Sequence, residues 1–568
     1  MPQCLNDAAT EDTSTQKKGL LTDGSAPIQR KKDDDSMELY SPSTAHDSGH
    51  ESDYECDGPH SINSSKSETA SAVSPYMGTL EMLKRPHTDW ELTEEAKRIY
   101  AQVALVEKTC KAQLSHTRWQ ELISWHQLLL QKQQEFFLAS QHHSASSELR
   151  LIAEKYAMPA RMWKYGIHNF LNRLKENLPS TLDYIRSFIN FAISIIMPLL
   201  KNAPDFNGTW TECLGDLARY RMAMEEFNMK DRKVWAAASR YWYNQNAGMS
   251  PTIGRIQHHL GILSRANPLQ QLFHYTKALV SVSPFPDTRD VMELLFSPYR
   301  ELDMASSQHT MTTAFLATHC ALYHGQPADE FFTLATHFLL LLREEAVQDQ
   351  TGVYIMSCNF AAILQYGDPE AIVALELTQE DGESVSFKDA RGLTPSSVHL
   401  HPMAQQGATL SFKTLSILLD SIKGGGVSSC AHISLSFIWG LALRPKAMQR
   451  LQEFIPWASI ARFLNTLIGP DIIFDKIEDR AFPLYKGAAR YFPEDFLIRG
   501  LTWSQLYYPH DFFQETASTK EKSVIEDPSI GISRKHRCLW LGVRIVTATS
   551  GRWIIYNHRK FDITQVCG

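Results

Sequence analysis

Residues 213–221 read CLGDLARYR, and the placement of its two arginines on a helix decides what each can do. At about 100° per residue with Leu214 as origin, Trp210, Leu217 and Met224 form one apolar stripe, and Arg221 falls inside it. Arg219 falls on the opposite face with Glu212, Asp216 and Glu226, where an Asp216–Arg219 pair three positions apart is worth a few tenths of a kcal/mol. Arg221 either packs its stem and snorkels its head to the edge, or meets a buried carboxylate. A second set of cations runs through Lys155, Arg161, Lys164, Arg173 and Lys175, then Arg232, Lys233, Arg240 and Arg255. Trp163, Tyr241, Trp242 and Tyr243 are interleaved with them. Such a mixture either stacks on the bases of a single strand or packs between helical hairpins.

Helices must carry these residues. LTEEAKRIYAQVALVEKTCKAQL places Ala96, Ile99, Val103 and Val106 at helical spacing, with Thr93 as N-cap. RWQELISWHQLLLQKQQEFFLASQ, SSELRLIAEKYAM and ARMWKYGIHNFLNRLKENL continue the pattern, and STLDYIRSFINFAISIIMPLLKN is the most apolar helix. Its apolar run at 187–200 is too short for a bilayer and reads as buried. GTWTECLGDLARYRMAMEEF and DRKVWAAASRYWYNQNA, the latter capped by Asp231, are followed by helices announced by Ser250-Pro251 and Asn267-Pro268. Helices of this length on short turns, with small residues at packing positions, describe stacked antiparallel hairpins of tetratricopeptide-like kind without an exact repeat. KGGGVSS at 423–429 reads as a joint, and Val543, Ile545, Val546 and Ile554 allow a little strand near the end.

The 568 residues carry a net charge of −7, unevenly spread. Residues 1–90 hold 16 acidic and 8 basic side chains, and the remainder holds 47 and 48. The helical part is therefore close to neutral, so a nucleic-acid site must be a local patch. The Ser-rich start buries too little apolar surface to fold, and its DSGHES at 47–52 matches a doubly phosphorylated degron pattern as readily by chance. It lacks the apolar core of a signal peptide. Nine scattered cysteines without CxxC or Cys/His spacing suggest a reducing compartment and no metal site. GxxxxGK[ST], GxSxG and HExxH are absent, and Asp471, Asp475, Asp479 and Asp495 lack the strand–helix alternation of a metal-dependent nuclease. The expectation is a non-enzyme without a cofactor.

GDLARYR, followed by SRYWYN, IGRIQHHLGIL and NPLQQLFHYTKALVSVSPFP, resembles the ever-shorter-telomeres/SMG family of telomerase and nonsense-mediated-decay adaptors. LASQHHSASSELRLIAEKYAMPARMWKYGIHNFLNRL and FPEDFLIRGLTWSQLYYP are similar to its fungal members with a DNA/RNA-binding domain, and the resemblance spans roughly 90–568. It implies an all-α fold: a disordered acidic tail at 1–85, a 14-3-3-like bundle at 86–250, tetratricopeptide-like hairpins at 251–376, a loop at 377–408 and a C-terminal helical domain at 409–568. It also implies a phosphopeptide groove in which Gly215-Asp216-x-x-Arg219-Tyr220 matches the phosphate motif, with Arg219 as the forked ligand and Tyr220 as a donor. His168 stands where the family commonly has Lys, Lys175 where 14-3-3 proteins have Arg, and Lys164 nearby; His258 replaces a peptide-holding Asn. The implied partners are phosphorylated protein segments and RNA or single-stranded telomeric DNA, with Arg161, Arg173, Arg232, Lys233, Arg240 and Arg255 as nucleic-acid contacts, in nucleus or cytoplasm and without a membrane. The intact Arg219-Tyr220 motif favours that adaptor; His168 in place of Lys favours a protein–protein scaffold whose groove has degenerated.

Overall fold

The computed structural model describes residues 88–564, apart from 115–117, 226–227, 302–308, 348, 379–399, 423–425, 427, 485–489 and 514–527. The tail expected at 1–85 and its DSGHES segment lie outside the described residues.

Helix α1 (Asp89–Gln113) starts one turn earlier than Thr93 suggests. Thr88 is the N-cap, and its backbone N–H donates to the Glu91 carboxylate at 2.8 Å in a reciprocal capping box. Thr93 sits inside the helix and donates to the Asp89 carbonyl at 2.8 Å. α1 forms a hairpin with α2 (Trp119–Ser140), followed by α3 (Ser147–Lys155) and α4 (Met158–Arg161). A π-helical stretch, Met162–His168, then leads into α5 (Asn169–Lys175). α6 (Leu182–Ile196) ends beside Pro198, and α7 (Leu199–Asn202) completes the segment expected as one helix. Together Leu182–Asn202 is long and apolar enough to cross a membrane by length and composition, longer than the 187–200 run implies. Its Ile185, Phe188, Ile189, Ala192 and Leu199 are buried in the bundle core against α2 and α8 (Asn207–Met224).

α8 pairs with α9 (Met229–Met249), whose N-cap is Asn228; Asp231 is its third helical residue, and its N–H donates to Asn228. α10 (Gly254–Leu263) begins later than Ser250-Pro251 suggests, because those residues form the preceding turn. α11 (Pro268–Val280) starts as expected, with Asn267 accepting the Gln270 N–H at 3.1 Å. Then follow α12 (Thr288–Phe296), α13 (Met311–Tyr323), α14 (Ala328–Glu344), α15 (Asp349–Ile363) and α16 (Ile372–Thr378). α17 (Pro402–Ser421) takes up the last residues expected as loop, since Pro402 is well placed at its first position. α18 (Ser429–Ala442), α19 (Pro445–Leu451), α20 (Trp457–Leu467), α21 (Phe474–Glu478) and α22 (Pro493–Ile498) lead to α23 (Pro528–Ala548). Val543, Ile545 and Val546 are helical here, not strand; Val543 and Ile545 are buried with Leu539 and Leu541, so core burial outweighs β-branched propensity. A single antiparallel hairpin follows, β1 (Ile554–Asn557) with β2 (Lys560–Ile563), Ile554 opposite Ile563. The described chain is all-α apart from this hairpin, as expected.

Two cores result. One gathers Leu92 through Leu217, the other Leu269 through Phe561, and between them lies only the small cluster Tyr243, Ile256 and Leu260. The junction at α8–α10 is instead rich in buried polar groups, including Asp216, Ser239, Asn246, Gln257 and His258.

Histidines buried in these cores carry a pH dependence. His126 is stacked on Phe170 with centroids 4.2 Å apart, and burial lowers it to about 4 despite its bond to the Gly166 carbonyl. His319 is fully buried between Tyr366 and Asn359 and is likewise lowered to about 4. The unfolded chain binds their protons near pH 6.5 and the folded chain does not, so stability is full above that pH and falls as pH drops toward 4. Denaturant midpoints compared at pH 7 and pH 5 are expected to show a loss of about 2 kcal/mol for each such imidazole. Equal stability at the two pH values would contradict it.

Candidate functional site

The GDLARYR segment occupies the second half of α8, and both helix faces it presents are packed. Gly215 makes this possible: a Cβ there would stand 2.6 Å from the Tyr243 ring of α9. The close approach brings Ser239 Oγ to donate to the Gly215 carbonyl at 2.8 Å and Tyr243 Oη to donate to Asp216 Oδ1 at 2.7 Å. Arg219 donates from Nη2 to the same Asp216 oxygen at 3.0 Å and from Nε to Tyr243 Oη at 3.2 Å. Burial pushes the Asp216 carboxyl up, but His259, Arg219 and the Tyr243 hydroxyl together outweigh it and hold Asp216 below its usual range. Burial also opposes the Arg219 charge, and its partners Tyr243 and Asp216 raise it nonetheless. The guanidinium thus arrives pre-oriented and 21% exposed, its planar fork aimed by two partners on one edge.

Tyr220 faces the other way around the helix, toward α5. Its hydroxyl donates to Asn172 Oδ1 at 2.9 Å, and Asn172 Nδ2 donates to His168 Nε2 at 3.3 Å. His168, Asn172 and Lys175 follow at spacings of four and three, so they share one face of the segment from the π stretch into α5. The Arg219 guanidinium lies 5.7 Å from the Tyr220 ring centroid. Arg219, Tyr220 and His168 are therefore brought together, with Asn172 as the linking residue that the sequence reading missed. Its signal was the four-residue spacing from His168. Tyr243, also missed as an anchor, had no local signal, because its contact to Asp216 is 27 residues away.

Lys175 is half-buried on that face and has no ion-pair partner among the described residues. Lys164 is exposed and lies over the Tyr165 ring at 5.5 Å, apart from the Tyr220–Asn172–His168 chain. Arg221 meets a buried carboxylate, Glu225, which also takes Arg186 at 2.8 Å, and its guanidinium lies 5.5 Å from the Trp235 ring. His258 is buried against Thr288 Oγ1 at 3.1 Å, with Phe285 at 5.1 Å; burial, and the Arg219 charge after it, lower it to about 4.

The cations expected to meet nucleic acid are dispersed. Arg161 is bound to Glu107 at 2.9 Å, Arg173 to Glu176 at 3.0 Å and Arg255 to Glu212 at 2.6 Å. Arg232 and Arg240 reach the carbonyls of Met222 and Leu263. Lys233, Val234, Ala237, Arg240 and Tyr241 form one exposed stripe along α9, while Tyr243 is buried and Trp242 packs on the first core. Ligand atoms of Glu212, Asp216 and His259 lie within 4.8 Å of one another and could hold a metal ion. Arg255 and Arg219 already neutralise the two carboxylates, which removes the charge that would attract one.

Residues 239–366, from α9 to the end of α15, match the family described as Est1 DNA/RNA binding domain. A chain in the structure of the C. elegans SMG5-SMG7 complex is 14% identical, with a TM-score of 0.39 over 77% of this chain and 99% of that one. EST/SMG-like protein 2 of Saccharomyces cerevisiae is 24% identical over 147 residues, which are 25% of this chain and 12% of the yeast protein. The match thus spans about an eighth of that relative's length. Through this central domain and its yeast relative, the chain is similar to the ever-shorter-telomeres/SMG family.

Proposed function

We propose that this protein is a non-catalytic adaptor of the telomerase-associated or mRNA-decay type, acting in nucleus or cytoplasm, and that it captures a phosphorylated serine segment on the face shared by α8 and α5. The observation that carries the reading is the chain Tyr220–Asn172–His168 beside a pre-oriented Arg219. A phosphate dianion there meets the open edge of the Arg219 guanidinium and takes over the Tyr220 donor, with unpaired Lys175 on the same face. His168 accepts from Asn172 and so positions that amide; it adds no charge in this form. Calorimetric titration with a phosphoserine peptide is expected to give saturable binding that the unphosphorylated peptide lacks. Equal heats from both peptides would leave the scaffold reading with a degenerate groove.

A second surface serves the family's nucleic-acid reading. The exposed α9 stripe places Lys233 and Arg240 around Tyr241, a stacking platform between two cations. Binding of a single-stranded RNA or DNA oligonucleotide is expected to weaken with salt, and Lys233→Glu to lower the log–log slope by about 0.7 for the one phosphate lost. A salt-independent signal, or an unchanged slope, would remove this surface from the proposal.

A further inference from the structure

The hydrogen-bond chain Tyr220–Asn172–His168 has a direction, and a single proton sets it. Tyr220 Oη donates to Asn172 Oδ1 at 2.9 Å, which turns Asn172 Nδ2 toward His168 Nε2 at 3.3 Å. An amide nitrogen only donates, so Nε2 accepts and the ring carries its proton on Nδ1. The imidazole is half-buried, with the Trp163 ring centroid at 5.9 Å and that of Tyr220 at 6.5 Å.

A second proton on the ring reverses the chain. Both nitrogens of an imidazolium donate, so Nε2 can no longer face an amide nitrogen. A half-turn of the Asn172 amide answers this, presenting Oδ1 to His168 and Nδ2 to the Tyr220 oxygen. Tyr220 then accepts from Asn172, and its O–H is released on the side where the Arg219 guanidinium lies 5.7 Å from its ring. Charge and donor change together. His168 ends the π-helical stretch and Asn172 lies one turn on in α5, half-buried like it, so neither side chain is locked in a core.

The charges around the ring leave it without an anion of its own. On its own segment stand Lys164, Lys175 and Arg173, the last paired with Glu176 at 3.0 Å. On α8 stands Arg219, held by Asp216 at 3.0 Å. α1 brings Glu107, which takes Arg161 at 2.9 Å and Lys111 at 2.7 Å. α2 sets buried His126 on the Gly166 carbonyl and carries the Lys132–Glu135 pair, and α6 carries Asp183 beside Arg186. Each of these carboxylates is engaged by an Arg or Lys, and none bonds to His168. A counter-charge for the ring therefore comes with a ligand.

We infer that His168 is a second phosphate ligand that takes up a proton from solvent as the phosphoserine binds, with Asn172 as the positioning residue that passes the change to Tyr220. This rests on the phosphopeptide reading above and states how its site is controlled. A dianion beside an imidazole favours the charged form. Affinity is then highest where the imidazole charges and the phosphate keeps both its charges, between about pH 6 and 7.

The test is calorimetric titration of the full chain with a phosphoserine peptide at about pH 8 and about pH 6.5, each in two buffers of different ionisation heat. Net proton uptake is expected, with a dissociation constant about fivefold lower at the lower pH. His168→Gln keeps an acceptor for Asn172 but cannot charge, so it should take up no proton at His168 and bind no more tightly at the lower pH. His168→Lys donates to Asn172 Oδ1 with a permanent charge, so near pH 8 it should bind about fivefold more tightly than the parent. Parent binding of equal affinity at both pH values without proton uptake would overturn the inference and leave the phosphopeptide reading standing. The same gain at low pH in His168→Gln would do so too. No binding by the parent at either pH would overturn both.

Discussion

Replacing Arg219 with Glu is expected to raise the dissociation constant for a phosphoserine peptide at least about a hundredfold. The substitution removes a charge-assisted fork and sets a carboxylate against the incoming dianion, a change of about 3 kcal/mol or more. Asp216 complicates the experiment, because it is buried and would keep only the Tyr243 hydroxyl as partner, costing about 1–3 kcal/mol of stability. Two companions separate recognition from folding. Arg219→Lys keeps a cation near Asp216 but loses the planar fork, so it should fold and bind about tenfold more weakly. Tyr220→Phe leaves Asp216 untouched and removes one donor, with an expected loss of about three- to tenfold. If Arg219→Glu stays folded by circular dichroism and binds the phosphopeptide as the parent does, the groove assignment is wrong.

Arg537→Ala is expected to cost about 3–5 kcal/mol of stability, the largest loss predicted for a single residue here. Arg537 is fully buried, and its Nη1 meets both Asp495 oxygens at 2.9 and 2.8 Å while Nη2 donates to the Arg490 carbonyl at 3.1 Å. Its guanidinium lies 3.9 Å from the Phe492 ring centroid. Asp495 in turn accepts from Tyr508 Oη at 3.0 Å and from the Phe492 N–H at 2.8 Å. The neighbouring Glu494 is equally buried and takes Arg534 Nε at 2.6 Å and His432 Nδ1 at 3.0 Å; despite burial, these two hold it far below its usual range. Removing Arg537 leaves the Asp495 charge stranded. Denaturant midpoints would read the loss, and limited proteolysis should cut first at residues 490–512. The double variant with Asp495→Asn should lose little beyond the first, since the stranded charge is then gone. A strictly additive double variant would refute this account.

That cluster matters for the central domain as well. It holds α22 and the turn after it, and from there Leu497 accepts from buried Lys277 at 2.6 Å, Arg499 donates to the Gly248 carbonyl at 3.0 Å, and the Gly500 carbonyl accepts from Val282 at 3.1 Å. The ends of α9 and α11 are thus tied by a segment more than 200 residues distant. Loosening it with Arg537→Ala should therefore also loosen the matched 239–366 domain.

Much of the architecture was legible in the chain because its signals are local. Three- and four-residue apolar spacing marks α1 through α11, and Asn267-Pro268 marks a helix start through geometry within one turn. The wheel of α8 likewise determined that Arg221 lies in an apolar stripe; whether its head snorkels or meets a carboxylate is decided only by the structure, where Glu225 takes it. Where two local signals competed, sequence alone could not rank them: Thr88 and Thr93 are both capping types, and only packing places the first helical turn. Val543, Ile545 and Val546 have strand propensity but become helical, because burial over a whole face exceeds a propensity difference of a few tenths of a kcal/mol per residue. The role of Arg219 was decided by tertiary structure. Its wheel position reads as solvent, yet Gly215 admits Tyr243 so closely that α9 covers that face and turns Asp216 and Arg219 into a directed pair. The same holds for the pairing of Tyr220 with Asn172. That contact joins residues 48 positions apart, and no periodicity encodes it; it exists because the packed helices bring distant faces to within a hydrogen bond.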